Sequence, residues 1–379
     1  MKKIYLDYAA ATPMAPEVVK AMEPYFEEIF YNPSATYLSG QKAKAALDSA
    51  RLQVAHWLGA KPSEIVFTAG GTEANNLAIH GVMNQFPDAN IVISGLEHDS
   101  VRQPASLYNC KTCKVNDSGF IDTEDLLKKI DDQTVLISIM QANNEIGTIQ
   151  PIKEISAMVR KIQSQRLKND NLLPIYLHVD AAQAANYLDL HVARLGVDML
   201  SVNGGKIYGP KQSGALFVKA GTQIAPVIFG GHQEHGLRSG TPNVASDIGF
   251  AKALDVAQKM RQTEIVRLQK LQNQFIKELK TKISNLQING SLKNRLPNNI
   301  NVTIDGIDNE KVLIQLDEAE IMAASGSACG ASSEEPSKVL KAIGLNDQQI
   351  KSTLRFTMGR QTTESEITKT VQILSELIK

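Results

Sequence analysis

Between residues 64 and 218 the chain alternates short apolar runs with amphipathic stretches, and this alternation narrows the fold more than any other feature. Runs at Glu64–Thr68, Asn90–Ser94, Val135–Met140, Ile175–Val179, Met199–Val202 and Ala215–Val218, with another near Lys114, read as strands. Asp99–Tyr108, Thr123–Ile130 and Ile152–Gln165 carry apolar residues at helical spacing. Strands that are apolar throughout are buried on both faces, so the pattern predicts an α/β fold, a mainly parallel sheet covered by helices. In such a sheet a ligand sits at the carboxyl ends of the strands. The loops after Phe67, Ile93, Met140, Val179 and Val202 all fall at that edge.

The 379 residues are about twice a typical domain length, which leaves room for a second unit. The large domain is expected over 15–250, with helices at Ala15–Ile29 and Gln41–Leu58. A long, charged helical pattern from Val244 to about Leu279 leads into a smaller α+β domain formed by 1–14 and 251–379. Strands at Ile300–Ile304 and Thr353–Thr357, and helices at Asn309–Leu316, Pro336–Ala342 and Glu364–Ile378, would build it. Forty basic residues balance forty acidic ones without a long run of either sign, so neither a nucleic acid nor a membrane surface is expected as a partner. There is no apolar run of membrane-spanning or signal-peptide length, because Asp7 interrupts the N-terminus. Cys110, Cys113 and Cys329 are too sparse for a disulfide framework, and a reducing cytoplasm is the expected compartment.

Several residues stand where chemistry could occur. Lys206 lies in Ser201-Val-Asn-Gly-Gly-Lys-Ile-Tyr-Gly-Pro210, a glycine-flanked amine directly after a strand, suited to attack an aldehyde or simply solvated. Thr68-Ala-Gly-Gly-Thr-Glu-Ala-Asn-Asn76 runs from strand through a glycine turn into a helix, and its free N–H groups either cradle a phosphate or are plainly capped at Thr72. Asp180 ends an apolar strand and calls for a cationic partner, either a protonated pyridine nitrogen or a nearby Arg or Lys. His98, after another strand, could stack on a flat ring and move protons, or be structural. The other histidines show no metal-ligand spacing, so no metal is expected. Cys329 lies in the small-residue run Ser325-Gly-Ser-Ala-Cys329, as a nucleophilic thiol would, whereas the Cys110-Lys-Thr-Cys113 pair reads as structural. Arg355, in mid-strand, suits a substrate carboxylate or an internal ion pair.

Taken together these stretches resemble the NifS/IscS-type cysteine desulfurases of aminotransferase class V, over nearly the whole chain. Tyr5-Leu-Asp-Tyr-Ala-Ala10, Glu97-His98, Asn143-Asn-Glu-Ile-Gly-Thr148, His178-Val-Asp-Ala-Ala-Gln183, Gly205-Lys-Ile-Tyr-Gly-Pro210, Arg238-Ser-Gly-Thr241 and Arg355-Phe-Thr-Met-Gly-Arg360 carry the likeness, with the Thr68 and Cys329 runs above. The resemblance implies the fold type I architecture of enzymes that use pyridoxal 5′-phosphate. It implies that Lys206 holds the cofactor covalently, Asp180 its ring nitrogen, and Gln183 and Asn144 its phenolic oxygen. Gly71, Thr72 and Asn203 would grip the phosphate, helped by Thr241 of a partner subunit in a homodimer. His98 would stack on the ring and transfer protons. Arg355 would bind the carboxylate of L-cysteine, with Asn32 at the substrate entrance. The Cys329 thiolate would take the sulfur as a persulfide, leave L-alanine, and pass the sulfur to a protein acceptor in iron–sulfur cluster assembly or tRNA thiolation. Two positions depart from the family: Asn203-Gly-Gly205 replaces the usual Ser-Gly-His, and a histidine usual near Asn32 is missing. A class V lyase or aminotransferase without a thiol step, and a non-catalytic binding homologue, are the alternatives.

Overall fold

The computed structural model describes residues 3–326 and 336–378. Its strands are β1 (Ile4–Tyr5), β2 (Ile65–Thr68), β3 (Asn90–Ser94), β4 (Asn109–Cys113), β5 (Thr134–Ser138), β6 (Tyr176–Asp180), β7 (Met199–Asn203), β8 (Gly214–Val218), β9 (Leu286–Ile288), β10 (Asn299–Ile304), β11 (Ile321–Met322) and β12 (Thr353–Thr357). Seven of them form one sheet in the order β2-β8-β7-β6-β5-β3-β4. Pairing is parallel from β7 to β4, and β8 runs antiparallel to both β7 and β2. β2 therefore points the same way as β3, β5, β6 and β7, and the carboxyl ends of all five meet at one edge. Every residue of β2, β3, β5 and β8 is buried, as continuous apolar runs require.

Helices pack on both faces of this sheet. Leu38–Leu58 ends at Gly59, whose φ of +64° closes the helix in the left-handed region. The single helix expected over Ala15–Ile29 is instead two, Pro16–Met22 and Pro24–Glu27, because Pro24 cannot continue the first. The expected domain limit at 250 falls inside a single helix, Val244–Lys282, of 39 residues. At 1.5 Å per residue it extends for about 58 Å. Phe250 and Leu254 near its start belong to the core around the large sheet. Leu268, Leu271, Phe275 and Leu279 near its end belong to a second core with Ile300, Val302, Leu354 and Phe356. Each fully buried phenylalanine contributes about 2–3 kcal/mol. The second core is covered by the antiparallel sheet β9-β10-β12, and β1 pairs with β11 beside it, so that Ile4 and Leu6 from the N-terminus join this core.

Candidate active site

Five loops at the carboxyl edge of the large sheet enclose a cavity of ≈ 170 Å³. It is lined by Gly71 and Thr72 after β2, His98 after β3, Asn144 after β5, Asp180 and Gln183 after β6, and Asn203 and Lys206 after β7. Arg355 of β12 reaches it from the second sheet. Asn32 and Thr241 do not line it. Asn32 is exposed, its Oδ1 closing a turn by accepting from Ser34 N at 2.9 Å, and Thr241 is exposed in the segment before the long helix. Cys329 lies outside the described residues.

Lys206 ends a tight turn, Gly204–Lys206, capped by Asn203 Oδ1, which accepts from Gly205 N at 3.0 Å. Glycine is required at 204, where a Cβ would stand 2.1 Å from Ser213 Oγ. The Lys206 amine donates to the carbonyls of Ala9 (2.8 Å) and Ala10 (2.6 Å), and Asn186 Nδ2 donates to the Lys206 carbonyl. Gln183 Nε2 donates to the same Ala9 carbonyl at 3.0 Å. The segment Ala9–Ala10 thus orients two site residues, a part that sequence reading missed. At Gly205 the room left by the missing side chain is taken by Lys211, whose Cδ would lie 3.3 Å from a Cβ there. Burial lowers the Lys211 pKa.

Asp180 is 7% exposed and has no ion-pair partner among the described residues. Its carboxylate accepts from two neutral donors, Asn75 Nδ2 at 2.8 Å and Ala182 N at 2.9 Å. An Arg or Lys partner, the bland expectation, is therefore not what holds it. Asn75 was also missed, although it stands one helical turn beyond Gly71 and periodicity alone puts it over the same spot. Two residues earlier in β6, His178 is fully buried and burial pushes its pKa down to about 4, against the pull of Asp180. Burial also holds Glu97 well above the usual carboxylate range; one oxygen accepts from Met140 N at 2.7 Å and the other has no partner.

Arg355 is 1% exposed and stands both in an internal ion pair and in the wall of the cavity. Its Nη2 pairs with Asp7 at 2.6 Å and Nη1 donates to the Asn144 carbonyl at 3.3 Å, while Nε is buried with no partner. Cys110 and Cys113, three residues apart on β4, point to opposite faces of the sheet. Burial, helped by Asp125, raises Cys113 to about 12, so it is an inert thiol at neutral pH. Among the described residues no group of three or more His, Cys, Asp or Glu is arranged to hold a metal ion.

The pattern of aminotransferase class V matches residues 4–370. The chain belongs to the class V aminotransferase family. A curated class V relative, the cysteine desulfurase IscS of Dictyoglomus turgidum, is 41% identical over 385 residues, spanning 100% of this chain and 95% of the relative. Among solved structures, a NifS-like protein from Rickettsia africae superposes with a TM-score of 0.88 at 32% identity, covering 100% of this chain and 99% of the other. SspA, solved in complex with cysteine, gives 0.79 at 34% identity over 94% of this chain and 99% of the other.

Class V enzymes depend on pyridoxal 5′-phosphate, and the residues present fit it. The first turn of helix Gly71–Met83 offers N–H groups that have no intrahelical acceptor. A Cβ on Gly71 would come within 3.3 Å of Asn203 Nδ2 and close that cradle. The buried Asp180 carboxylate, held only by neutral donors, suits a cationic ring nitrogen. When bound, the cofactor supplies an electron sink for charge at the substrate α-carbon. Lys206 would hold its aldehyde, Asp180 would keep a proton on its nitrogen, and Asn75 and Ala182 N hold the Asp180 carboxylate in place.

Proposed function

We propose that this chain is a cysteine desulfurase that converts L-cysteine to L-alanine and moves the sulfur to a protein acceptor. The observation that carries the reading is the convergence of Lys206, Asp180 and Arg355 on one cavity in a class V chain with relatives named for this activity. Lys206 presents the amine that a substrate amine displaces. The Arg355 guanidinium, a planar fork already facing the cavity, holds the substrate carboxylate and orients the α-carbon. Gln183 and Asn144 would face the phenolic oxygen, Gly71, Thr72 and Asn203 would grip the phosphate, and His98 would lie against the ring and carry the proton that the α-carbon loses. The Cys329 thiolate attacks the substrate sulfur: a sulfur–sulfur bond forms on Cys329, the carbon–sulfur bond breaks with its electron pair left on the β-carbon, and a proton taken up there and one returned to the α-carbon release alanine.

In the same reading Thr241, exposed and away from the cavity of its own chain, reaches the phosphate of a second copy in a homodimer. Asn32 would mark the substrate entrance. No helix of the described residues is long and apolar enough to cross a membrane, and a reactive thiol at Cys329 suits a reducing cytoplasm. The purified protein should be yellow, with Lys206→Ala abolishing the absorbance of the lysine-bound cofactor. Cys329→Ala should retain the colour and lose sulfide release from cysteine. Full sulfide release by Cys329→Ala would favour a class V lyase without a thiol step, and a coloured protein that turns over no amino acid would favour a binding homologue.

A further inference from the structure

A hydrogen-bonded chain runs along one wall of the cavity from Asp180 to His98. Asn75 Nδ2 donates to Asp180 Oδ2 at 2.8 Å and to Ser100 Oγ at 2.9 Å. Ser100 Oγ lies 2.9 Å from His98 Nδ1, and Ser100 N donates to that same nitrogen at 3.1 Å. Each link has a direction set by chemistry. A carboxylate only accepts, so the NH₂ end of the Asn75 amide must face Asp180. Asn75 is 1% exposed and its Oδ1 has no partner, so the two donor bonds alone decide its orientation. A backbone N–H only donates, so His98 Nδ1 must be an acceptor. Ser100 Oγ, already accepting from Asn75, has its own proton free to turn to Nδ1. An imidazole whose Nδ1 accepts carries its proton on Nε2.

We propose that Asn75 and Ser100 are positioning residues that lock His98 in its Nε2–H tautomer and tie its ring to the Asp180 carboxylate. In that tautomer His98 offers the cavity a donor. To accept a proton at Nε2, the ring must first carry one on Nδ1, which displaces the Ser100 N–H and turns the Ser100 hydroxyl from donor to acceptor. The hydroxyl oxygen has a second lone pair for this, so Ser100 is the point at which the two tautomers interchange, and Asn75 biases it toward the donor orientation. Asp180, Lys206 and Arg355 line the same cavity, while Glu97, Asp99 and Arg102 flank His98 along the chain. The inference deepens the proposed roles of His98 and Asp180 and rests on them for its chemical consequence, though not for its geometry.

The test is long-range ¹H–¹⁵N correlation on the full-length protein with ¹⁵N-labelled histidine, in cofactor-loaded and cofactor-free forms. His98 should show an unprotonated Nδ1 and a protonated Nε2 in both. Ser100→Ala and Asn75→Ala should each raise the share of the Nδ1–H form, roughly two- to tenfold for one lost hydrogen bond. Ser100→Thr, which keeps the hydroxyl, should restore the parent signal, and Asn75→Ala should add nothing in the Ser100→Ala background. A parent protein with the proton on Nδ1, or a His98 signal that neither Ser100→Ala nor Asn75→Ala moves, overturns the relay. The tautomer is read without turnover, so a protein that leaves cysteine untouched can still give the expected result and an active desulfurase can still fail it.

Discussion

His178 lies wholly buried in β6 between two serines, with Ser138 Oγ 2.8 Å from Nδ1 and Ser201 Oγ 2.9 Å from Nε2. One serine donates and the other accepts only if the ring is neutral. Its folded pKa of about 4 lies below the ordinary 6.5, so the unfolded chain binds the proton first on acidification. Its contribution is therefore fully present above pH 6.5 and lost as pH falls toward 4, at about 1.4 kcal/mol per pH unit. Urea unfolding of His178→Gln over that range should show a shallower decline than the parent protein. Glu97 has the opposite sign: its folded pKa is raised, so its contribution is present below about 4.5 and is lost as pH rises. Glu97→Gln should accordingly gain stability relative to the parent at pH 8 over pH 5, and an equal effect at both would show the carboxyl to be ionised in the fold. At Asp180, Asn75→Ala should leave the cofactor bound but lower kcat with little change in KM, measured by sulfide release. A fall in cofactor occupancy alone would argue against its role in aiming the carboxylate.

Among the elements, the segment before the long helix is held by a buried ion pair. Arg51, on helix Leu38–Leu58, grips Glu234 through both nitrogens at 2.7 and 2.6 Å, and Glu234 also accepts from Phe67 N of β2 at 2.7 Å. Glu234 has a φ of +48°, with His232 and His235 also positive, so the pair holds strained backbone in place. This is the segment that leads to Arg238 and Thr241. Glu234→Ala should cost about 3–5 kcal/mol by leaving Arg51 buried without its charge partner, read as a lowered midpoint in chemical unfolding. Strand positions at this scale were largely legible: Asn90–Ser94 lies where its apolar run puts it, and Thr353–Thr357 where Leu354 and Phe356 alternate with polar residues. A short strand expected at Ile4–Leu6 is β1, whereas β9 and β11 were not read, since two or three residues are too few to show a period.

For the whole molecule, helix Val244–Lys282 contributes to both cores, so the expected limit at 250 falls within an unbroken helix that leads from the large sheet to the smaller one. If Thr241 serves a second copy, sedimentation should give a dimer, and Thr241→Ala should weaken cofactor binding without altering the cavity of its own chain. A fully active monomer would refute that part of the proposal. The sequence by itself determined the parallel sheet, the edge where its ligand lies and the chain order of Lys206, Asp180 and Arg355, because buried strands and glycine turns are local patterns. Only the tertiary structure decided what each side chain meets. That Asp180 is held by Asn75 rather than by an Arg, that Arg355 pairs with Asp7 from the other end of the chain, and that Ala9 and Ala10 receive the Lys206 amine are contacts between residues 105 to 348 positions apart, which no local pattern encodes.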